Sequence, residues 1–76
     1  MADVTLDVKG LNCPLPILRA KKALKGVPNG GTLEVLTTDP ASVPDFEAFC
    51  RANGDELAEQ SAAAGVFRFL IRRGSG

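Results

Sequence analysis

Hydrophobic and polar positions change period along the chain, and each change marks an element. Val4, Leu6 and Val8 alternate with Thr5, Asp7 and Lys9, the period of a half-buried strand. Gly10-Leu11-Asn12 turns the chain, and from Pro14 to about Lys25 the period becomes helical. Ile17, Ala20, Ala23, Leu24 and Val27 share one side of the helical wheel, opposite Arg19, Lys22 and Lys25. Gly26, Pro28, Asn29, Gly30 and Gly31 end that helix in a loop. Thr32 to Thr38, rich in β-branched and aliphatic residues, predicts a second strand. Asp39-Pro40 starts a turn, and Ser42 with Asp45 predicts a capping box for a second helix reaching about Ala52. Pro44 falls in its first turn, and Asn53-Gly54 is its stop. Val43, Phe46, Phe49 and Cys50 line its inner face. Leu57 to Ser61 carries a weaker strand signal, Ala62 to Gly65 a hairpin loop. Val66 to Arg73 predicts the last strand, with Phe67, Phe69 and Ile71 alternating against Arg68, Leu70 and Arg72.

The order β-α-β-α-β-β follows. Two strands joined by a helix of this length form a right-handed βαβ unit with parallel strands. The expected architecture is an α+β two-layer sandwich, a four-stranded mixed sheet with two helices on one face. With 76 residues and no internal repeat, the chain makes one domain, and Gly74 to Gly76 are expected to form a flexible tail.

Composition removes several function classes. Zero net charge provides no general attraction to nucleic acid or membrane. The charges are segregated, with Lys9, Arg19, Lys21, Lys22 and Lys25 making the first third basic and the middle acidic. That pattern by itself fits ordinary solvated faces better than a partner surface. No apolar run is long enough for a membrane span and no signal pattern opens the sequence, so a cytoplasmic protein without direct membrane binding is expected. The four aromatics are phenylalanines at core-like positions, which disfavours a nucleic-acid surface. Two cysteines and no histidine rule out a Cys/His zinc centre and histidine-assisted nucleophilic catalysis. The cysteines are too far apart for a CxxC redox pair, and in a reducing cytoplasm both are free thiols.

Cys13 is the candidate for chemistry. A residue before proline is pushed to extended geometry, as a helix N-cap is, and proline suits the first helical position. The sequence therefore predicts Cys13 at the N-cap and Pro14 at the first position, placing the thiol at the positive end of a helix. That placement predicts a moderately depressed pKa, tempered by Pro16, which lacks an N–H the cap would use. Lys9, Arg19 and Lys22 would add attraction if they turned to the site. Leu15 and Leu18 fall on the outward side of the wheel and suggest a small apolar docking spot beside Arg19 and Lys22. Cys50, in a stripe with Phe46 and Phe49, is assigned to core packing.

The run Gly10-Leu11-Asn12-Cys13-Pro14-Leu15-Pro16 matches the G-L-x-C-P-x-P signature of the TusA/SirA family of bacterial sulfur-carrier proteins. The resemblance continues through Thr38-Asp39-Pro40-Ala41 and Phe49-Cys50 to Phe69-Leu70-Ile71-Arg72, and spans Thr5 to Arg73. It implies a fold like the C-terminal domain of translation initiation factor 3, and a persulfide on Cys13 within the Gly10, Pro14 and Pro16 motif. It also implies a cysteine desulfurase or other persulfide donor and a downstream acceptor protein, with no resident cofactor or metal. Destinations in the family include 2-thiouridine in tRNA, molybdenum cofactor assembly and sulfur oxidation. Leu15 stands where tRNA-thiolation members carry an acidic residue, so the resemblance leaves the pathway open. A carrier-like sulfurtransferase is the first reading. The alternative is a non-catalytic regulatory or interaction module using the basic first helix. Cys13→Ser separates them, because it abolishes a carrier and spares a docking module.

Overall fold

The computed structural model describes residues 3–74. The six expected elements are present: β1 (Val4–Asp7), α1 (Leu15–Leu24), β2 (Thr32–Thr37), α2 (Ser42–Asn53), β3 (Glu56–Ala63) and β4 (Val66–Arg72). They form one four-stranded sheet in the order β1-β2-β4-β3. β1 runs parallel to β2 with Val4 opposite Leu33 and Leu6 opposite Val35. β4 is antiparallel to both neighbours, pairing Val35 with Phe69 and Leu57 with Ile71. The mixed sheet with two helices is the architecture the hydrophobic periods predict.

The alternation decides which face is covered. Leu33, Val35, Phe69 and Ile71 point inward and pack with Ala20, Leu24 and Val27 from the α1 side and with Phe46 and Cys50 from α2. Phe46 stacks on Phe69 at 4.8 Å between ring centroids and meets Phe49 edge-on at 6.2 Å. Such pairs add to the area these rings bury. Removing the Phe46 ring would leave a cavity worth about 3–5 kcal/mol. The opposite face of the sheet is uncovered and polar. There Arg68 bridges Glu34 and Glu59 across three strands, and Thr5 Oγ1 donates to Glu34 Oε1 at 3.2 Å. The Arg68 guanidinium holds the Glu34 carboxyl below its ordinary range.

β3 runs further than its weak signal suggests, eight residues instead of about five, with a register shift between Leu57 and Glu59. Its alternation is weak because it is an edge strand with most side chains exposed, and pairing with β4 carries it. The hairpin loop shrinks to Ala64-Gly65, both at positive φ (53° and 78°), the arrangement of a type I′ turn. At the other helix, Gly54 at φ 74° provides the left-handed cap expected of Asn53-Gly54, and its N–H donates to Cys50 O. At the chain end, Gly74 N–H donates to Asp55 Oδ1 at 2.8 Å, so the fold holds the first residue of the expected tail. Ser75 and Gly76 lie outside the described residues.

Candidate active site

Parallel β1 and β2 end on the same side of the sheet, so the loops that follow them meet there. Gly10 turns the first loop at φ 83°, a conformation that favours glycine, and its N–H donates to Thr38 Oγ1 at 2.9 Å. Cys13 N–H donates to Asp39 Oδ2 at 2.8 Å, while Asp39 Oδ1 accepts from Ala41 N–H at 3.1 Å. One carboxylate therefore ties the Cys13 loop to the start of α2. From the first turn of α2, Asp45 reaches back, and Cys13 Sγ donates to its Oδ2 at 2.8 Å. Cys13 is exposed and free, in a shallow, open, largely apolar depression lined by Pro14, Ile17, Asp45, Ala48 and Phe49.

Three expectations are corrected here. Pro14, not Cys13, is the N-cap of α1: Leu18 N–H bonds to Pro14 O, and Leu15 and Pro16 occupy the first two helical positions. Cys13 stands one residue before the cap, its N–H taken by Asp39, and no side-chain cap bond forms. The predicted capping box at α2 is also absent. Ala41 is its N-cap, while Ser42 Oγ donates to Asp39 O at 2.6 Å and pairs with Thr37 Oγ1 at 2.7 Å inside the fold. With Ser42 committed inward, Asp45 is left for the cysteine.

The third correction concerns acidity. The Cys13 thiol is pushed up from its ordinary value, first by its hydrogen bond to Asp45, then by desolvation and the negative charges of Asp45 and Asp39. A thiolate could not donate to Asp45, and its charge would face two carboxylates. The cations expected to assist do not converge on the sulfur. Lys9 Nζ lies 3.7 Å from Asp7 Oδ2, and Arg19 and Lys22 line a separate depression with Leu6, Ala23 and Gly26.

The outward leucines stand where the wheel puts them, Leu15 at 43% and Leu18 at 54% exposure, with Arg19 and Lys22 also exposed on α1. Pro16 is buried beneath the motif, whereas Pro14 lines the thiol's depression. Cys50 is buried at 3% exposure and burial raises its thiol to about 11, which fits core packing. Asp39 and Asp45 are the site residues the pattern analysis missed. For Asp39 the signal was the βαβ topology, because the residues just after β2 must face those just after β1, whereas Asp45 is brought to the sulfur by the packing of α2. Among the described residues, no group of three or more histidine, cysteine or acidic side chains could hold a metal ion. None of their helices is long and apolar enough to cross a membrane.

Comparison with known proteins agrees with this architecture. Residues 4–73 match the family model described as sulfurtransferase TusA. The chain is 54% identical over 71 residues to the sulfur carrier protein TusA of Allochromatium vinosum, covering 93% of each. It is 40% identical over 73 residues to that of Pseudomonas fluorescens, covering 96% of this chain and 88% of the relative. The crystal structure of a SirA-like protein from Desulfitobacterium hafniense superposes with a TM-score of 0.81 at 30% identity, over 95% of this chain and 99% of that one. A match running from β1 to the end of β4, with relatives this similar in sequence and fold, makes this chain a member of the sulfurtransferase TusA family.

Proposed function

We propose that this protein is a sulfur carrier that accepts sulfane sulfur as a persulfide on Cys13 and relays it to an acceptor protein. The observation that carries the reading is an exposed, free thiol in an open apolar depression, within a chain of the TusA family. Ionised Cys13 attacks the terminal sulfur of a donor persulfide, such as that of a cysteine desulfurase. The donor S–S bond breaks and its electron pair leaves on the donor sulfur. An acceptor thiolate then repeats the step on Cys13, so the relay needs neither oxidant nor metal. An open depression suits this exchange, because another protein's cysteine must reach the sulfur. Leu15, Leu18, Arg19 and Lys22 form the flanking surface on which such proteins dock, and Gly10, Pro14 and Pro16 shape the loop that presents the thiol. A carrier whose working group is a free thiol operates in a reducing compartment, the cytoplasm. Formation of 2-thiouridine in tRNA is one pathway such a relay can feed.

The test is intact-mass analysis after incubation with a cysteine desulfurase and free cysteine. One added sulfur, removed by reductant, absent in Cys13→Ser and present in Cys50→Ala, is the expected result. Failure of several desulfurases to load Cys13 overturns the proposal.

A further inference from the structure

Within that carrier reading, on which this inference rests, the surroundings of Cys13 distinguish its empty form from its loaded form. Among the described residues, the charged groups that act on the sulfur are acidic: Asp45 meets it directly, and Asp39 lies on the Cys13 amide. Asp45 comes from α2 and Asp39 from the loop after β2, while the α1 side contributes only Pro14 and Ile17. An empty Cys13 has one proton to donate, and Asp45 Oδ2 receives it at 2.8 Å. The terminal sulfur of a persulfide ionises more readily than a thiol. A loaded Cys13 therefore presents an anion that has no proton to donate and sits beside two carboxylates. The same side chain is attracted to Asp45 in one state and repelled in the other, and only such a differential interaction can shift a conformational equilibrium.

We propose that Asp45 is a positioning residue that docks the empty Cys13 thiol against α2 and turns the persulfide-bearing side chain outward to its acceptor. Loading balances as follows. The Cys13 thiol gives its proton to the Asp45 carboxylate, and the thiolate bonds to the donor's terminal sulfur. The donor S–S bond breaks, and the departing donor sulfur takes up the proton that Asp45 received, which returns Asp45 to its carboxylate form. One persulfide and one thiol become one thiol and one persulfide, with no net oxidation. The new persulfide then releases its proton to solvent, and the docking contact is lost. The raised pKa of the empty thiol, caused first by its hydrogen bond to Asp45, is the expected companion of this geometry.

Two measurements test the proposal. The first is the rate of Cys13 alkylation by iodoacetamide between about pH 6 and pH 10 in the wild type, Asp45→Asn and Asp45→Glu, with thermal melts confirming folding. Asp45→Asn should move the profile to lower pH and raise the rate at neutral pH by about threefold or more, and Asp45→Glu should restore part of the wild-type profile. The second uses wild-type protein alone, loaded chemically with inorganic polysulfide, and follows the Asp45 carboxyl carbon by NMR. Its signal should move on loading and return on reduction.

Identical alkylation profiles in wild type and Asp45→Asn, or a carboxyl signal indifferent to loading, overturns the docking role. If Asp45→Asn fails to fold, the wild-type carboxyl signal decides alone. If polysulfide fails to load the wild type, the alkylation profiles decide. Failure of the carrier reading is distinct: desulfurases then leave Cys13 unloaded whatever Asp45 does to its alkylation.

Discussion

Cys50 sits one turn after Phe46 on the inner face of α2, 3% exposed, in a core that also holds Leu33, Val35, Phe69 and Ile71. Serine there buries a hydroxyl among apolar groups. A bond to the carbonyl one turn back recovers part of the desolvation penalty, leaving a net loss of about 2 kcal/mol. Alanine leaves a small void and no polar group, a loss of about 1 kcal/mol. A domain of 76 residues has a total stability of about 4–11 kcal/mol, so the serine loss is a large share of it. The melting temperature should fall by about 10 °C in Cys50→Ser and about 5 °C in Cys50→Ala. Thermal melts followed by far-ultraviolet circular dichroism measure both. Serine equal to or better than alanine would falsify the assignment of Cys50 to a dry core.

The same burial makes a prediction in pH. The folded Cys50 thiol is raised from 9.0 to about 11, whereas the unfolded thiol keeps its ordinary value. Between those values the unfolded chain has lost a proton that the folded chain retains, so stability falls as pH rises. The contribution is intact below about pH 9 and is lost towards about pH 11, up to about 2–3 kcal/mol. Urea midpoints at about pH 8 and pH 10.5 should therefore separate more in wild type than in Cys50→Ala. Equal separations contradict the sign or the burial. At about pH 8 the buried Cys50 thiol therefore stays protonated in the folded state.

Two further outcomes follow from exposed features. Ala64 occupies φ 53° in the β3–β4 turn, a conformation asparagine adopts more readily, so Ala64→Asn should stabilise the hairpin by about 1 kcal/mol. The expected gain is about 4–8 °C in a thermal melt, and an unchanged or lower value contradicts the turn geometry. Leu18→Glu places a charge on the 54% exposed position beside the basic helix face. It should slow sulfur transfer between proteins while leaving iodoacetamide alkylation of Cys13 unchanged, and an unchanged transfer rate removes Leu18 from the docking surface.

Much of this protein was legible along the chain because its cause is local. Period-two alternation in β1 and β4 and the helical stripe through Ala20 and Leu24 dictated which side chains go inward. Gly10, Gly54 and Gly65 marked the turns that needed left-handed backbone. The motif around Cys13 singled out the thiol, and the wheel sent Leu15 and Leu18 outward. What sequence could not supply was the electrostatics of that thiol. A proline-flanked cysteine argued for the positive end of a helix and an easily formed thiolate. The fold instead brings Asp39 and Asp45, 26 and 32 positions away in sequence, onto its amide and its sulfur. Hydrophobic period is a property of neighbouring residues and survives in the sequence alone. The ionisation of a side chain depends on every charge within a few ångströms, and only the parallel pairing of β1 with β2 and the packing of α2 determined which charges those are.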